Sequence, residues 1–191
     1  MKLLVVDIET SGFVKHLDVI VEIGIALVDT ETKEIKLVFD KLVKDEVWNY
    51  KKHKNAWIFK NSSLKPEDVE SAESIEVYRD EIQALFDKYQ MTAYNKTFDI
   101  GFLSRAGFEM NSVKCLMVTA KKYSKLLTKS GGKKTPSVEE IYNQFFINEN
   151  NSPVYVEEHR GGADAIDEAK ILLHMVELKT RHKLISEAIN K

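Results

Sequence analysis

The sequence predicts a single α/β domain over residues 1–191, a mixed β-sheet with helices on its faces. Three observations carry this. Three short apolar, β-branched runs fall within the first 43 residues; after Pro66 the pattern changes to stripes of helical period; and further strand-like runs are interleaved with those stripes. The length suits one ordinary domain and is too short for two comfortable ones. Apolar and charged fractions of 43% and 30%, with only 8 Gly and 3 Pro, leave little room for low complexity or a long linker, and no internal repeat is present.

Leu3-Leu4-Val5-Val6 is too short for a helix and unbroken by polar residues, which suits a central strand buried on both faces and ended by Asp7. Val19 to Val28, interrupted by Glu22 and Gly24, and Ile35 to Val43 are the next two strands, with Asp29-Thr30-Glu31-Thr32 as the turn between them. Such short connections predict an antiparallel meander. Pro66-Glu67-Asp68 opens a helix, and Tyr78, Ile82, Leu85, Phe86 and Tyr89 line one face of its continuation. Met91 to Tyr94 is a short strand. Phe98, Phe102, Leu103 and Ala106 form a helical stripe ended by Gly107, Val113 to Val118 is a further strand, and helices follow over Val138 to Phe146 and from about Gly162 to Leu178.

A single cysteine excludes an internal disulfide framework and a cysteine-based zinc site, so Cys115 is expected to be a small buried hydrophobe. The opening apolar run stops at Asp7, too soon for a secretory leader, and no other stretch is long enough to span a bilayer; the expectation is a soluble cytoplasmic protein with no membrane partner. A formal net charge of −2 gives no global attraction to nucleic acid, so any such affinity must come from local patches or cations.

The chemistry lies where carboxylates meet this layout. Asp7 and Glu9, two apart at a strand end, point to the same face. Paired carboxylates repel unless water or a hard cation such as magnesium neutralises them. Asp99 falls in the first turn of a helix, and His159-Arg160-Gly161-Gly162-Ala163-Asp164 places a histidine just before another helix with Asp164 in its first turn. Each has an ordinary explanation taken alone: a solvated strand end, an acid favoured by the helix dipole, a surface or core histidine. The combination singles them out.

In that combination the chain resembles the exonucleases of the DEDD superfamily, in the histidine-containing branch that includes bacterial proofreading subunits and several 3′-end RNA trimmers. The motifs are Asp7-Ile8-Glu9-Thr10-Ser11-Gly12, then Ala93-Tyr94-Asn95-Lys96-Thr97-Phe98-Asp99-Ile100-Gly101-Phe102-Leu103, then His159 with Asp164 five residues on. They occur in the family's order and span nearly the whole chain. The resemblance implies a ribonuclease H-like fold with a five-stranded mixed sheet. It also implies two divalent cations, magnesium with manganese substituting. Asp7 would bridge them, Glu9 and Asp164 would complete the nucleophile's metal, Asp99 would support the other, and His159 would act as general base. Nucleoside 5′-monophosphates would be released from the 3′ ends of single-stranded DNA or RNA, DNA favoured, with Ile8, Thr10, Ser11, Asn95 and Phe98 binding the terminal nucleotide. A polymerase or another replication or repair protein is a candidate partner.

Three departures stand out. Tyr94 replaces the histidine many relatives carry before the asparagine, which would alter a substrate contact; Trp57-Ile58-Phe59-Lys60-Asn61-Ser62 stands where proofreaders have His-Gly-Ile-Thr; and Cys115 replaces an aspartate. Two basic stretches, Lys51-Lys52-His53-Lys54 and the run from Lys121 to Lys134, are either solvated faces or a phosphate track, with Trp48, Tyr50, Trp57, Phe59 and Tyr123 as stacking surfaces. Gly131-Gly132-Lys133-Lys134-Thr135 lacks the upstream glycine of a nucleotide-binding loop. The rival readings are an exoribonuclease, a ribonuclease H-like endonuclease or resolvase, and a catalytically idle nucleic-acid-binding relative. The Asp-x-Glu pair and the intact acid set speak against the last two.

Overall fold

The computed structural model of the protein describes residues 1–13, 18–147 and 154–189, with side chains described as far as residue 183. Strands β1 (Lys2–Thr10), β2 (Ile20–Asp29) and β3 (Glu34–Leu42) form the antiparallel meander, and β4 (Met91–Thr92) pairs parallel to β1 with Leu4 opposite Met91. The order is β3-β2-β1-β4, so the unbroken apolar run Leu3 to Val6 is an interior strand, buried on both faces. Leu4, Val6 and Ile8 pack with Ile82, Phe86, Phe102 and Leu103 on one side. Val5 packs with Leu116, Ile141, Ala165 and Ala169 on the other. Each fully buried Leu, Ile or Phe stabilises the fold by about 1.5–3 kcal/mol through removal of apolar surface from water.

The helices are α1 (Tyr50–His53), α2 (Ile58–Asn61), α3 (Pro66–Glu70), α4 (Arg79–Lys88), α5 (Lys96–Arg105), α6 (Leu116–Tyr123), α7 (Val138–Phe146) and α8 (Gly161–Ile189). A capping box between Ser137 and Glu140 starts α7. Among the described residues no helix is long and apolar enough to cross a membrane.

Two expectations are corrected. Among the described residues the sheet has four strands, not five. The run Val113 to Val118 is extended only at its start, where Val113 N–H donates to Met91 O at 2.9 Å and a single bridge joins Met91 to Ser112. Leu116 and Ala120 are then buried four residues apart, the spacing of a helix, and Val118 stays exposed. The helix expected to continue from Pro66 to Tyr89 is broken. Between α3 and a 3-10 turn at Ile75–Tyr78, the chain pairs with Lys44: Lys44 N–H donates to Glu73 O at 2.9 Å, and Ile75 N–H donates to Lys44 O at 3.0 Å.

Candidate active site

Asp7 and Glu9 leave β1 on the side covered by α8, opposite Gly24 and Glu22 of β2. Gly24 decides how close α8 comes: a Cβ there would lie 1.9 Å from Gly161 O and 2.4 Å from Gly162 N. The bare backbone lets the helix start rest directly on the sheet. Below that contact Glu22, 1% exposed, accepts from Arg160 Nη2 at 2.7 Å and from Gly161 N–H at 2.8 Å. Arg160 N–H then donates to Asp164 Oδ2 at 2.9 Å, fixing the carboxylate inside the first turn. His159, immediately before, adopts a left-handed backbone (φ 54°), and its ring meets Trp57 edge-on with centroids 4.9 Å apart.

Asp99 reaches the same place from the sheet edge. Because β4 ends at Thr92, the Ile8 amide beyond it is left for the buried Asp99 carboxylate in the first turn of α5. Glu9, His159 and Asp164 offer ligand atoms within 4.8 Å of one another. Asp7 feels the charges of Glu168, Glu9, Asp99 and Asp164. All five residues singled out in the sequence therefore converge.

Burial first, and then mutual repulsion, holds Asp7 well above the usual carboxylate range. The same causes push Glu9 up to about 9, with Asp164 its strongest charged neighbour, and burial raises Asp99 to about 7 and Asp164 to about 6. His159 is lowered by burial, with Glu139 opposing. Asp7 Oδ2 and Asp164 Oδ1 are buried without a hydrogen-bond partner. Crowded, partly orphaned carboxylate oxygens are the donor set of a hard divalent cation, so the residues fit such an ion.

Beside the acids lies a cavity of about 450 Å³ lined by Ile8, Glu9, Thr10, Ser11 and Phe98, with Trp57 and Phe13 at its exposed wall. The Thr10 and Ser11 hydroxyls are committed to their own loop, donating to Gly12 O at 2.9 Å and Asp18 Oδ1 at 3.2 Å. Asn95, the fifth expected substrate residue, is the exposed residue preceding α5 and does not line this cavity.

The family model described as Exonuclease (RNase_T) matches residues 4–172. The chain belongs to the RNase T exonuclease family. Solved structures share its fold. The nuclease domain of 3′hExo, a DEDDh family member bound to rAMP, matches with TM-score 0.64 and 16% identity over 92% of this chain and 92% of that one. Cell-death related nuclease 4 matches with TM-score 0.66 and 15% identity over 93% of this chain and 64% of that chain. E. coli exonuclease I in complex with a dA16 oligonucleotide matches with TM-score 0.62 and 15% identity. The chain spans under two thirds of the cell-death nuclease and 45% of the exonuclease I chain. No curated protein is similar enough in sequence to count as a relative.

Several residues of this exonuclease domain escaped the sequence. The Glu22–Arg160 pair joins positions 138 apart, beyond any local pattern. Glu168, buried on α8, accepts from Tyr94 N–H at 2.9 Å and presses on Asp7. Gly24 did carry a signal, since a glycine inside a strand marks close backbone approach. Tyr94, which replaces the histidine of many relatives, is 5% exposed and its hydroxyl donates to Pro136 O at 2.9 Å. Cys115 is half-buried rather than buried, with its Sγ 3.0 Å from Tyr94 O. In the first basic stretch His53 is core, 2% exposed, while its lysine neighbours are exposed.

Proposed function

We propose that the protein is a metal-dependent 3′-5′ exonuclease that releases nucleoside 5′-monophosphates from single-stranded nucleic acid, with DNA preferred. The observation that carries this is the gathering of Glu9, His159 and Asp164 within 4.8 Å, beside the orphaned oxygens of Asp7 and Asp164. Asp7, Glu9, Asp99 and Asp164 would hold two divalent cations, magnesium or manganese. When bound, these supply the charge that lowers the pKa of an attacking water and stabilises the leaving oxygen.

The chain's own groups do the rest. The cavity is of nucleoside size, and Trp57 and Phe98 offer it aromatic surfaces while Thr10 and Ser11 offer backbone. His159, lowered by burial, is neutral near pH 7 and takes the proton of the attacking water; the left-handed turn and the Trp57 contact hold its ring in place. A second reading, an exoribonuclease, is favoured by the likeness to a 3′-exonuclease that recognises a histone mRNA stem-loop, TM-score 0.64.

The test is nucleotide release from 5′-labelled DNA and RNA strands of matched sequence, with magnesium or EDTA, comparing wild type with Asp7→Ala. Stepwise shortening that needs both metal and Asp7, with a closed circle untouched, is expected. No shortening of either strand by folded, metal-loaded protein overturns the proposal.

A further inference from the structure

From Asn111 to Val138 the chain carries seven lysines and neither aspartate nor glutamate, in a protein of formal net charge −2. Both ends of this stretch are tied to Tyr94, which sits beside the acids: Met117 N–H donates to Tyr94 O at 2.9 Å, and Tyr94 Oη donates to Pro136 O at 2.9 Å. Tyr94 N–H is itself held by Glu168, one helical turn beyond Asp164.

Between these anchors the backbone is ordered. After α6, Leu126–Thr128 folds back on Gly132–Lys134, with Thr128 N–H donating to Gly132 O at 2.7 Å and Lys134 N–H to Leu126 O at 2.9 Å. Gly131 turns the tip at φ +82°. Gln144 of α7 accepts from Lys125 N–H at 2.7 Å, and Lys133 Nζ donates to Lys122 O at 2.6 Å, so the hairpin is fastened to the helices on either side. Lys134 pairs with Glu140. Lys121, Lys122, Lys125 and Lys129 are exposed, and among the described residues none of them makes an ion pair with an acid. The helix dipole accounts for lysines in the last turn of α6, not for Lys125 and Lys129 in the hairpin.

We propose that this hairpin surface, through Lys121, Lys122, Lys125 and Lys129, carries the phosphodiester backbone of the substrate strand a few nucleotides 5′ of the hydrolysed end. The proposal rests on the exonuclease reading. Along α6, Lys121 and Lys122 lie about 6 and 7.5 Å beyond Met117, whose amide is bonded to Tyr94 O, and Lys125 and Lys129 follow past the helix end. An anionic lipid surface would also attract lysines around the exposed Leu127, but it has no use for a basic hairpin tethered at both ends to the reaction site.

The experiment is fluorescence anisotropy of a long and a very short 5′-labelled oligothymidylate in EDTA across a salt series. It compares wild type, the quadruple variant Lys121→Ala, Lys122→Ala, Lys125→Ala, Lys129→Ala, and the single Lys129→Glu, which touches no core residue. Four lost phosphate contacts reduce the slope of log K against log salt by up to about 3 for a single strand, and weaken the long strand's binding by at least about 10-fold at low salt. The short strand changes little, and magnesium-dependent hydrolysis of thymidine 5′-p-nitrophenyl phosphate is unchanged. Lys129→Glu moves the slope in the same direction by less.

An unaltered slope in both variants overturns the proposal, as does a loss of binding to phosphatidylserine vesicles with none to the oligonucleotide. If neither the ester nor any strand is hydrolysed by wild type while the slope still falls in the variants, the exonuclease reading fails and the nucleic-acid surface stands.

Discussion

Replacing Gly24 by alanine should disable the site without touching any group that does chemistry. The added methyl would sit 1.9 Å from Gly161 O, 2.0 Å from Gly161 C and 2.4 Å from Gly162 N, all backbone atoms at the start of α8. Ordinary contact begins at 3.4 Å, so sheet and helix must separate by roughly 1.5 Å, and no flexible side chain can give way. Overpacking of this kind costs about 1–3 kcal/mol of stability. The larger effect is on geometry, because Asp164 and His159 move with the helix while Asp7 and Glu9 stay on β1. A misplacement of about 1 Å costs on the order of 100-fold in rate. Gly24→Ala is therefore expected to lower kcat/KM at least about 100-fold in the labelled-strand assay and to weaken magnesium binding by calorimetry. Gly132→Ala, whose Cβ would meet only Thr128 Oγ1 at 3.6 Å, is the control for a glycine replaced without a clash and should leave stability unchanged. If Gly24→Ala keeps kcat/KM within about twofold, the claim that this backbone contact sets the spacing of the acids is wrong.

Arg160→Ala strands the Glu22 carboxylate, 1% exposed, and should cost about 3 kcal/mol in urea unfolding, the low end for a broken buried pair because the guanidinium is partly exposed; a loss under about 1 kcal/mol would show that the pair holds little. Trp57→Ala should raise KM by about 10- to 100-fold with little change in Tm, since the ring is 59% exposed and serves the cavity rather than the core; an unchanged KM would remove it from the substrate site. Stability in EDTA should fall as pH rises from 7 to 9. Glu9, at about 9, keeps a proton in the folded protein that the unfolded chain, with carboxylates titrating near 4, has already shed, and Asp7 and Glu168 are raised in the same direction. His53 and His159, both lowered by burial, are largely neutral in both states across that window and contribute little. Magnesium should restore Tm most at the alkaline end, and a flat Tm in EDTA would show that the acids are not crowded as described.

The ends of β1, α5 and α8 were legible because each acid sits at a fixed offset from a local signal: an apolar run ending at Asp7, a helix start at Asp99, a glycine pair before Asp164. The meander was legible for the same reason, its strands being long and its turn short. What failed was period and competition. Val113 to Val118 is an apolar run broken only by Lys114 and bounded by valines, too short to reveal that Leu116 begins a helix. The break after Glu70 depends on Lys44, which offers backbone partners from another part of the chain and outbids local helix propensity. Glu22 and Arg160, like Tyr94 and Glu168, meet only in the tertiary structure, and neither partner carries a local mark of the other.

The seat that Gly24 leaves for α8 also has a consequence for the time at which the enzyme comes into being. Synthesis delivers Asp7, Glu9 and Asp99 early, along with the sheet and α5, but His159 and Asp164 arrive only with the helix that closes over β2. A chain that has not yet docked that helix carries Asp7, Glu9 and Asp99 beside a bare strip of β2 backbone, without the cluster that Glu9 forms with His159 and Asp164. The cluster of Glu9, His159 and Asp164 is therefore completed in the same step that seats α8 on β2.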